Sequence, residues 1–365
     1  MKIEKILTEN PYEEMWNYLG YFKSYKNCYN YLNNVNNVDF RQKRAYLLKY
    51  LISQAHEYFL SYKRVSMLTQ PTLLYYGILS LSRFSVLIKR GHPDSTKSHG
   101  VILTDQVSPD LFDFKVRITR KGTFSELYKT IYIEDDYYSD FKLIKGTEWS
   151  LKELFSMVPE INNLFEETFN AKSLAIKIEK FVNSGYDDCL RVNESFFDKM
   201  DEKNIDEFLC NIKHLDKYYL PPQHLSNSVK IFYKRPSPDG DIIKTNIMRE
   251  EYLISGIQKG TNIIIFPEII VHFLILYILS MLSRYHINEW GIENFEDKQG
   301  YFYIVQQFLN ISERKFPNLI LNLISNKDYV FTTETYTHSG SMFNNIKEQL
   351  EDFIEEWYYE KTENK

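Results

Sequence analysis

PEIIVHFLILYILSMLSRYHINEW, residues 267–290, is the stretch from which the fold of this chain is read. Pro267 suits a first helical position, where its missing N–H would have no partner anyway. Glu268 follows at the end of a helix dipole that favours negative charge, and Arg284 and His286 sit at the end that favours positive charge. Between them almost every side chain is apolar, which predicts a helix buried on most of its sides. Glu268, His272, Ser280 and Arg284 recur at multiples of four, with Leu276 interrupting, so they form one polar row that faces either a partner helix or a pocket. The apolar run from Asn262 to Leu282 approaches the length of a membrane span. Pro267, Glu268 and His272 lie inside it, and a charge in mid-span is costly, so the expectation is a core helix of a non-membrane protein.

Outward from that helix the chain stays mainly helical. Tyr12, Trp16, Leu19 and Phe22 share one helical face, which the Asn run at 33–37 ends because Asn competes for backbone hydrogen bonds. Ala45, Leu48, Leu51 or Ile52, Ala55, Tyr58 or Phe59, and Tyr62 predict an amphipathic helix over 42–64. Pro71 opens the next helix, and the two fold back on each other across Ser66–Gln70. GHPDSTKSHG (91–100) is turn chemistry, and strands are expected at 101–104 and 114–119. Gly122 and Gly146 mark turns; Ser150 and Glu153 have capping-box spacing, and Pro159 stops the helix that they begin. Residues 160–218 read as helical, Pro221–Pro222 break that pattern, and strands return at 229–233 and 263–266. Helices then follow at 301–311, at 317–324 and from Ser341 onward.

The expected class is α+β, predominantly α-helical, with a helical body and a small antiparallel β lobe. Residues 1–95 begin the body, 96–150 form a β-containing insertion, and 151–225 are a helical segment. Residues 226–266 complete the β lobe, and 267–365 supply the central and C-terminal helices of the body.

At 365 residues, 44% hydrophobic and 25% charged, the chain buries a large core and is not disordered. A net charge of −5 announces no general affinity for polyanions and leaves room for a local basic patch. Lys outnumbers Arg, so guanidinium forks for phosphate or guanine are few. The abundance of Asn, Ile, Lys, Tyr and Phe matches A/T-rich codon usage, which makes tyrosine content alone no argument for base stacking. Cys28, Cys189 and Cys210 are far apart and include no C-x-x-C, which fits a reducing compartment. The N-terminus has no apolar core of signal-peptide length, and the expected location is the cytoplasm.

Familiar chemistry is missing. There is no phosphate loop, dinucleotide fingerprint, nucleophile elbow, H-E-x-x-H helix or deaminase zinc signature, nor the Arg-to-His spacing of the helical HEPN ribonucleases. His92, Asp94 and His99 share one loop and have the chemistry of metal ligands, but Gly, Pro and Ser crowd that loop and a solvated turn is expected, with no metal assigned. His99 is instead a candidate acid, base or hydrogen-bond donor, and His286 is a second candidate general base. Arg284 and Trp290 suggest an anion or nucleotide site, with Arg284 on phosphate and Trp290 stacking, while helix capping and core packing account for the same residues structurally. Lys121 and His272 complete the candidate ligand-binding set. No cofactor is indicated.

Several phrases in order carry a resemblance. They are Trp16, Leu19, Phe22 and Ser24 as W-x-x-L-x-x-F-x-S, then Gln54-Ala55 with Glu57-Tyr58-Phe59, and Leu74-Tyr75-Tyr76-Gly77. Ser98-His99-Gly100, Gly122-Thr123-Phe124, SLKELFSMVPEI (150–161) and LYILSMLSRYHINEW (276–290) follow. Together they resemble the bacterial YaaC-like family over essentially the whole chain. The resemblance implies an intracellular bacterial protein, is compatible with relatives near defence or nucleotide-metabolism functions, and implies no particular reaction. The expected function is binding of a nucleotide or nucleic acid between helical and β lobes, as a component of stress or phage defence, alone or beside an effector protein. The alternatives are a hydrolase or nuclease with a His general base, and a non-catalytic scaffold or homo-oligomer.

Overall fold

The computed structural model describes residues 2–34, 40–91, 98–104, 110–132, 141–182, 187–193, 220–225, 228–234, 243–248, 250–260 and 262–333. The helices are α1 (Pro11–Gly20), α2 (Tyr25–Asn33), α3 (Arg41–Tyr62), α4 (Gln70–Arg90), α5 (Thr123–Ile131), α6 (Leu151–Phe155), α7 (Asn162–Phe169), α8 (Glu268–Tyr285), α9 (Ile287–Phe295) and α10 (Phe302–Ser325). The helix expected from Ser341 lies outside the described residues.

The organising stretch behaves as its composition demands. α8 is buried from Ile269 to Ser280, and it packs against α4, α5, α6, α9 and α10. α4 is likewise enclosed. Both helices are long and apolar enough to cross a membrane, and here 78% and 72% of the apolar windows of α4 and α8 are buried within the protein. α3 turns back on α4 as expected and presents Ala45, Leu48, Ile52, Ala55, Phe59 and Tyr62 to the core. The close approach of the two helices needs Gly77, since a Cβ there would stand 2.7 Å from the Phe59 ring.

Ser150 caps α6 through a complete capping box: its hydroxyl accepts from the Glu153 amide while Glu153 accepts from the Ser150 amide. The two helices expected at 301–311 and 317–324 are one, α10, with Pro317 inside it. Pro removes a hydrogen bond there, yet it is buried and the helix continues, because its apolar face packs on α4 and α8.

The β residues fall into separate sheets. β2 (Val101–Thr104), β3 (Lys115–Ile118) and β4 (Glu148–Ser150) form an antiparallel sheet in that order, with β2 and β3 against α8. β11 (Ile257–Lys259) and β12 (Asn262–Ile264) make a hairpin that turns at Gly260. A six-stranded antiparallel sheet takes β5 (Ala175–Val182), β6 (Asp187–Asn193), β7 (Leu220–Leu225), β8 (Ser228–Lys234), β9 (Ile243–Thr245) and β10 (Glu251–Ile254) in the order β7-β8-β6-β5-β10-β9.

Ala175–Val182, Asp187–Asn193 and Leu220–Leu225, expected within a helical segment, are therefore strands. The alternation Ile176-Lys177-Ile178 is the signal for β5: both isoleucines are buried and Lys177 is not. Pro221 and Pro222 are accommodated because β7 is an edge strand whose register shifts between Leu220 and Gln223. A further pair was not foreseen: β1 (Lys2–Leu7) runs parallel to β13 (Lys327–Thr332), joining segments from opposite ends of the described chain.

Candidate functional site

Segments distant in sequence meet beside the C-terminal half of α8. α4 supplies Tyr75, Tyr76 and Arg83, the turn before β2 supplies His99, α5 begins at Thr123, and α8 brings Tyr277 and Arg284. The turn that holds His99 depends on Gly122, whose φ is +144° and whose Cβ, if it had one, would lie 2.1 Å from the Gly100 nitrogen. That approach lets the Thr123 amide donate to the Ser98 carbonyl (3.1 Å) and the Phe124 amide donate to the His99 carbonyl (2.9 Å). The backbone on either side of the imidazole is thereby pinned to the first turn of α5.

The His99 ring is half-buried between Tyr75 and Tyr277, with Nδ1 2.8 Å from the Tyr75 hydroxyl. Burial lowers the pKa of His99, and the charges of Arg284 and Arg83 lower it further, so the imidazole is neutral at pH 7. Burial, with a smaller contribution from Tyr277, holds the Tyr75 hydroxyl far above its ordinary value against the pull of both arginines, so it keeps its proton. When Tyr75 donates to Nδ1, the remaining ring proton sits on Nε2 and is available to a ligand.

Arg284 is half-buried and held on several sides. Its Nε donates to the Ser280 carbonyl (3.0 Å) and its Nη1 donates to the Tyr76 hydroxyl (2.8 Å). The guanidinium lies over the rings of Tyr76 and Tyr285, at 5.4 and 5.1 Å, and Tyr76 in turn stacks on Tyr58. Arg284 pairs with no carboxylate among the described residues. Arg83 donates from Nε to Thr123 Oγ1 at 3.3 Å. Two guanidinium groups, a neutral imidazole and tyrosine faces together suit an anion that carries a flat ring.

The residues singled out from the sequence separate into different places. Lys121 is exposed, and its carbonyl accepts from the Ser98 and Thr119 hydroxyls, so its backbone borders the His99 turn. Trp290, expected to stack on a ligand, is buried, and its indole N–H donates to the Leu68 carbonyl at 3.1 Å. The rings beside the Arg284 guanidinium are those of Tyr76 and Tyr285. His286 is half-buried at the junction of α8 and α9, edge-on to Phe114, and touches neither His99 nor Arg284.

His272 lies twelve residues before Arg284, about 18 Å along the helix. It is fully buried, with Nδ1 2.7 Å from Ser312 Oγ on α10. The polar row thus has two functions along its length. Its first half belongs to an internal ion cluster, in which Lys315 pairs with Glu268 and Glu160 and donates to the Thr245 carbonyl, while Lys244 donates to the Phe266 carbonyl. Two ammonium groups balance two carboxylates there, the arrangement that lets buried charges persist.

Tyr75, Tyr76, Tyr277 and Arg83 were not foreseen as site residues. Arg83 had a legible signal, as a charge in the middle of an otherwise apolar helix. Among the described residues no cluster of His, Cys, Asp and Glu could hold a metal, and His92 and Asp94 lie outside them.

A family model described as YaaC-like Protein matches residues 18–324, a span that contains every residue of the Arg284 and His99 group. No curated protein and no solved structure matches the chain.

Proposed function

We propose that this chain, which belongs to the YaaC-like family, binds a phosphate ester, as a nucleotide or as part of a nucleic acid, at the Arg284 and His99 group. Its setting in this reading is bacterial stress or phage defence. The observation that supports it is Arg284: a half-buried guanidinium with tyrosine rings beside it and no carboxylate partner among the described residues. Buried cations are ordinarily neutralised, and here the neutralising group would come with the ligand. His99, presenting Nε2–H, would add a donor to a phosphate oxygen. The test is a thermal-shift panel of nucleotides and RNA on the wild type and Arg284→Ala. Loss of one charge-assisted contact of about 1.5–3 kcal/mol weakens binding roughly 10- to 100-fold. The reading fails if Arg284→Ala keeps both the unliganded melting point and the ligand-induced shift.

A second reading, hydrolysis with His99 as general base, is favoured by the neutral imidazole. It needs the other tautomer, with Nδ1–H donating to Tyr75 and Nε2 free to accept a proton. A wild type that cleaves RNA or nucleotide phosphodiesters, with a His99→Asn variant that binds them but does not cleave, would establish it.

A further inference from the structure

We infer that the ligand is single-stranded nucleic acid, led to the Arg284 group by a row of tyrosines along α3. Where the strand ends rests on the phosphate reading above, while the row stands on its own rings and charges.

Tyr46, Tyr50 and Tyr58, with Gln54 between, recur every fourth residue of α3 and so trace one slowly winding stripe. Tyr25 of α2 stacks on Tyr46 with centroids 4.4 Å apart and planes 29° from parallel. Tyr29 stacks on Tyr25 at 6.0 Å, and Tyr46 and Tyr50 follow at 6.4 Å and 20°. At the far end of the stripe Tyr58 stacks on Tyr76 at 5.8 Å, and Tyr76 lies under Arg284. Tyr25, Tyr29 and Tyr76 rest partly buried against the core, and Tyr46 and Tyr50 stand out from it. Tyr46 is 48% exposed and Tyr50 60%, and the hydroxyls of Tyr25, Tyr29, Tyr46 and Tyr50 bond to no described residue.

Charge selects the occupant. Residues 21–50 contain six Lys or Arg and one acidic residue, Asp39, in a chain whose net charge is −5. Lys26, Arg41, Lys43 and Lys49 pair with no carboxylate among the described residues. An apolar protein partner would leave those cations unmatched, and an acidic one would make no use of stacked rings. A duplex keeps its bases turned inward. A single strand supplies phosphates for the cations and base faces for the rings.

The test is fluorescence anisotropy of labelled oligouridylate and oligothymidylate of about 15 nucleotides on the full chain. Wild type is expected to bind the single strands and to prefer them to a duplex. Tyr46→Ala/Tyr50→Ala is expected to weaken binding about tenfold or more, while Tyr46→Phe/Tyr50→Phe keeps it, because stacking needs only the ring. Lys43→Gln/Lys49→Gln should flatten the salt dependence by about 0.7 in logarithmic slope per lysine. All four side chains lie outside the core, so unchanged melting points control for folding. The inference is overturned if wild type binds no single strand, if duplex binds as tightly, if the alanine variant binds like wild type, or if that variant instead dissolves a homodimer seated on the rings. Mononucleotide binding that Arg284→Ala abolishes, beside oligonucleotide binding indifferent to Tyr46 and Tyr50, sinks the row and keeps the phosphate site. Tyrosine-dependent oligonucleotide binding that is unchanged in Arg284→Ala keeps the row and sinks the phosphate site.

Discussion

Replacing Lys315 by Met tests whether the ion cluster under α8 is a balanced set of buried charges. Lys315 is ion-paired with both Glu160 and Glu268, and each of the three side chains is at most 12% exposed. Burial by itself would raise the Glu268 pKa, but Lys315 foremost, then His272 and Lys244, hold it at about 2 instead of 4.5. That difference, at about 1.4 kcal/mol per pH unit, is roughly 3 kcal/mol of stability carried by one carboxylate. The sign follows from the direction: the contribution is complete above about pH 4.5 and is lost as the pH falls through about 2. Met fills the space but takes away the ammonium that Glu160 and Glu268 share, leaving Glu268 only His272 and Lys244, a defect of about 3–5 kcal/mol at neutral pH. Without Lys315 the burial effect dominates and Glu268 takes up its proton at higher pH. The deficit of the variant against wild type should therefore be largest near neutrality and should shrink towards about pH 4. Adding Glu268→Gln to Lys315→Met should recover part of it, since the uncompensated charge is removed. Urea unfolding followed by circular dichroism at both pH values measures this. A deficit below about 1 kcal/mol, or one equal at the two pH values, would refute the account of these groups as mutually dependent charges.

Gly122→Ala should cost more than about 2 kcal/mol, because the new methyl meets the Gly100 nitrogen at 2.1 Å in a backbone conformation that side chains rarely adopt. Differential scanning fluorimetry reads that loss, and Arg120→Ala, on the same connection, is the control expected to melt like wild type. Trp290→Phe should lower stability by about 1–3 kcal/mol through the orphaned Leu68 carbonyl and the lost volume, while nucleotide affinity stays unchanged. Affinity that falls with Trp290 at constant stability would return it to the binding site. In a titration followed by NMR, His99 should protonate below the ordinary histidine value of 6.5, and Arg284→Ala should move it upward by removing a neighbouring cation. A downward or absent movement would separate the two residues.

Much of the frame was legible before any coordinates. The apolar run of α8, the period of α3, Pro71 at the head of α4, and Ser150 with Glu153 all declare themselves through neighbours within one or two helical turns. Gly122, read as marking a turn, stands at the head of α5, but its contact with the Gly100 backbone, where only glycine fits, was not legible. The misreadings have physical causes as well. β5 and β6 carry enough charged residues to pass for a polar-faced helix, and pairing with β10 and β8 makes them strands. Pro317 signals a helix start, and the packing around it carries the helix through.

The site was legible only as a set of parts. Arg284 and His99 were marked by being rare charged or titratable residues at element ends, but their partners could not be inferred from spacing. Arg284 meets Tyr76 across 208 positions, and His272 meets Ser312 across 40. Local chemistry therefore announced that α8 would be an internal helix with one polar row. Which half of that row became a neutralised ion cluster, and which half holds a guanidinium that meets tyrosines and no carboxylate among the described residues, depended on what packed against it. Backbone preference acts over a few residues along the chain, whereas electrostatic compensation acts through space and is assigned only once distant segments are in contact.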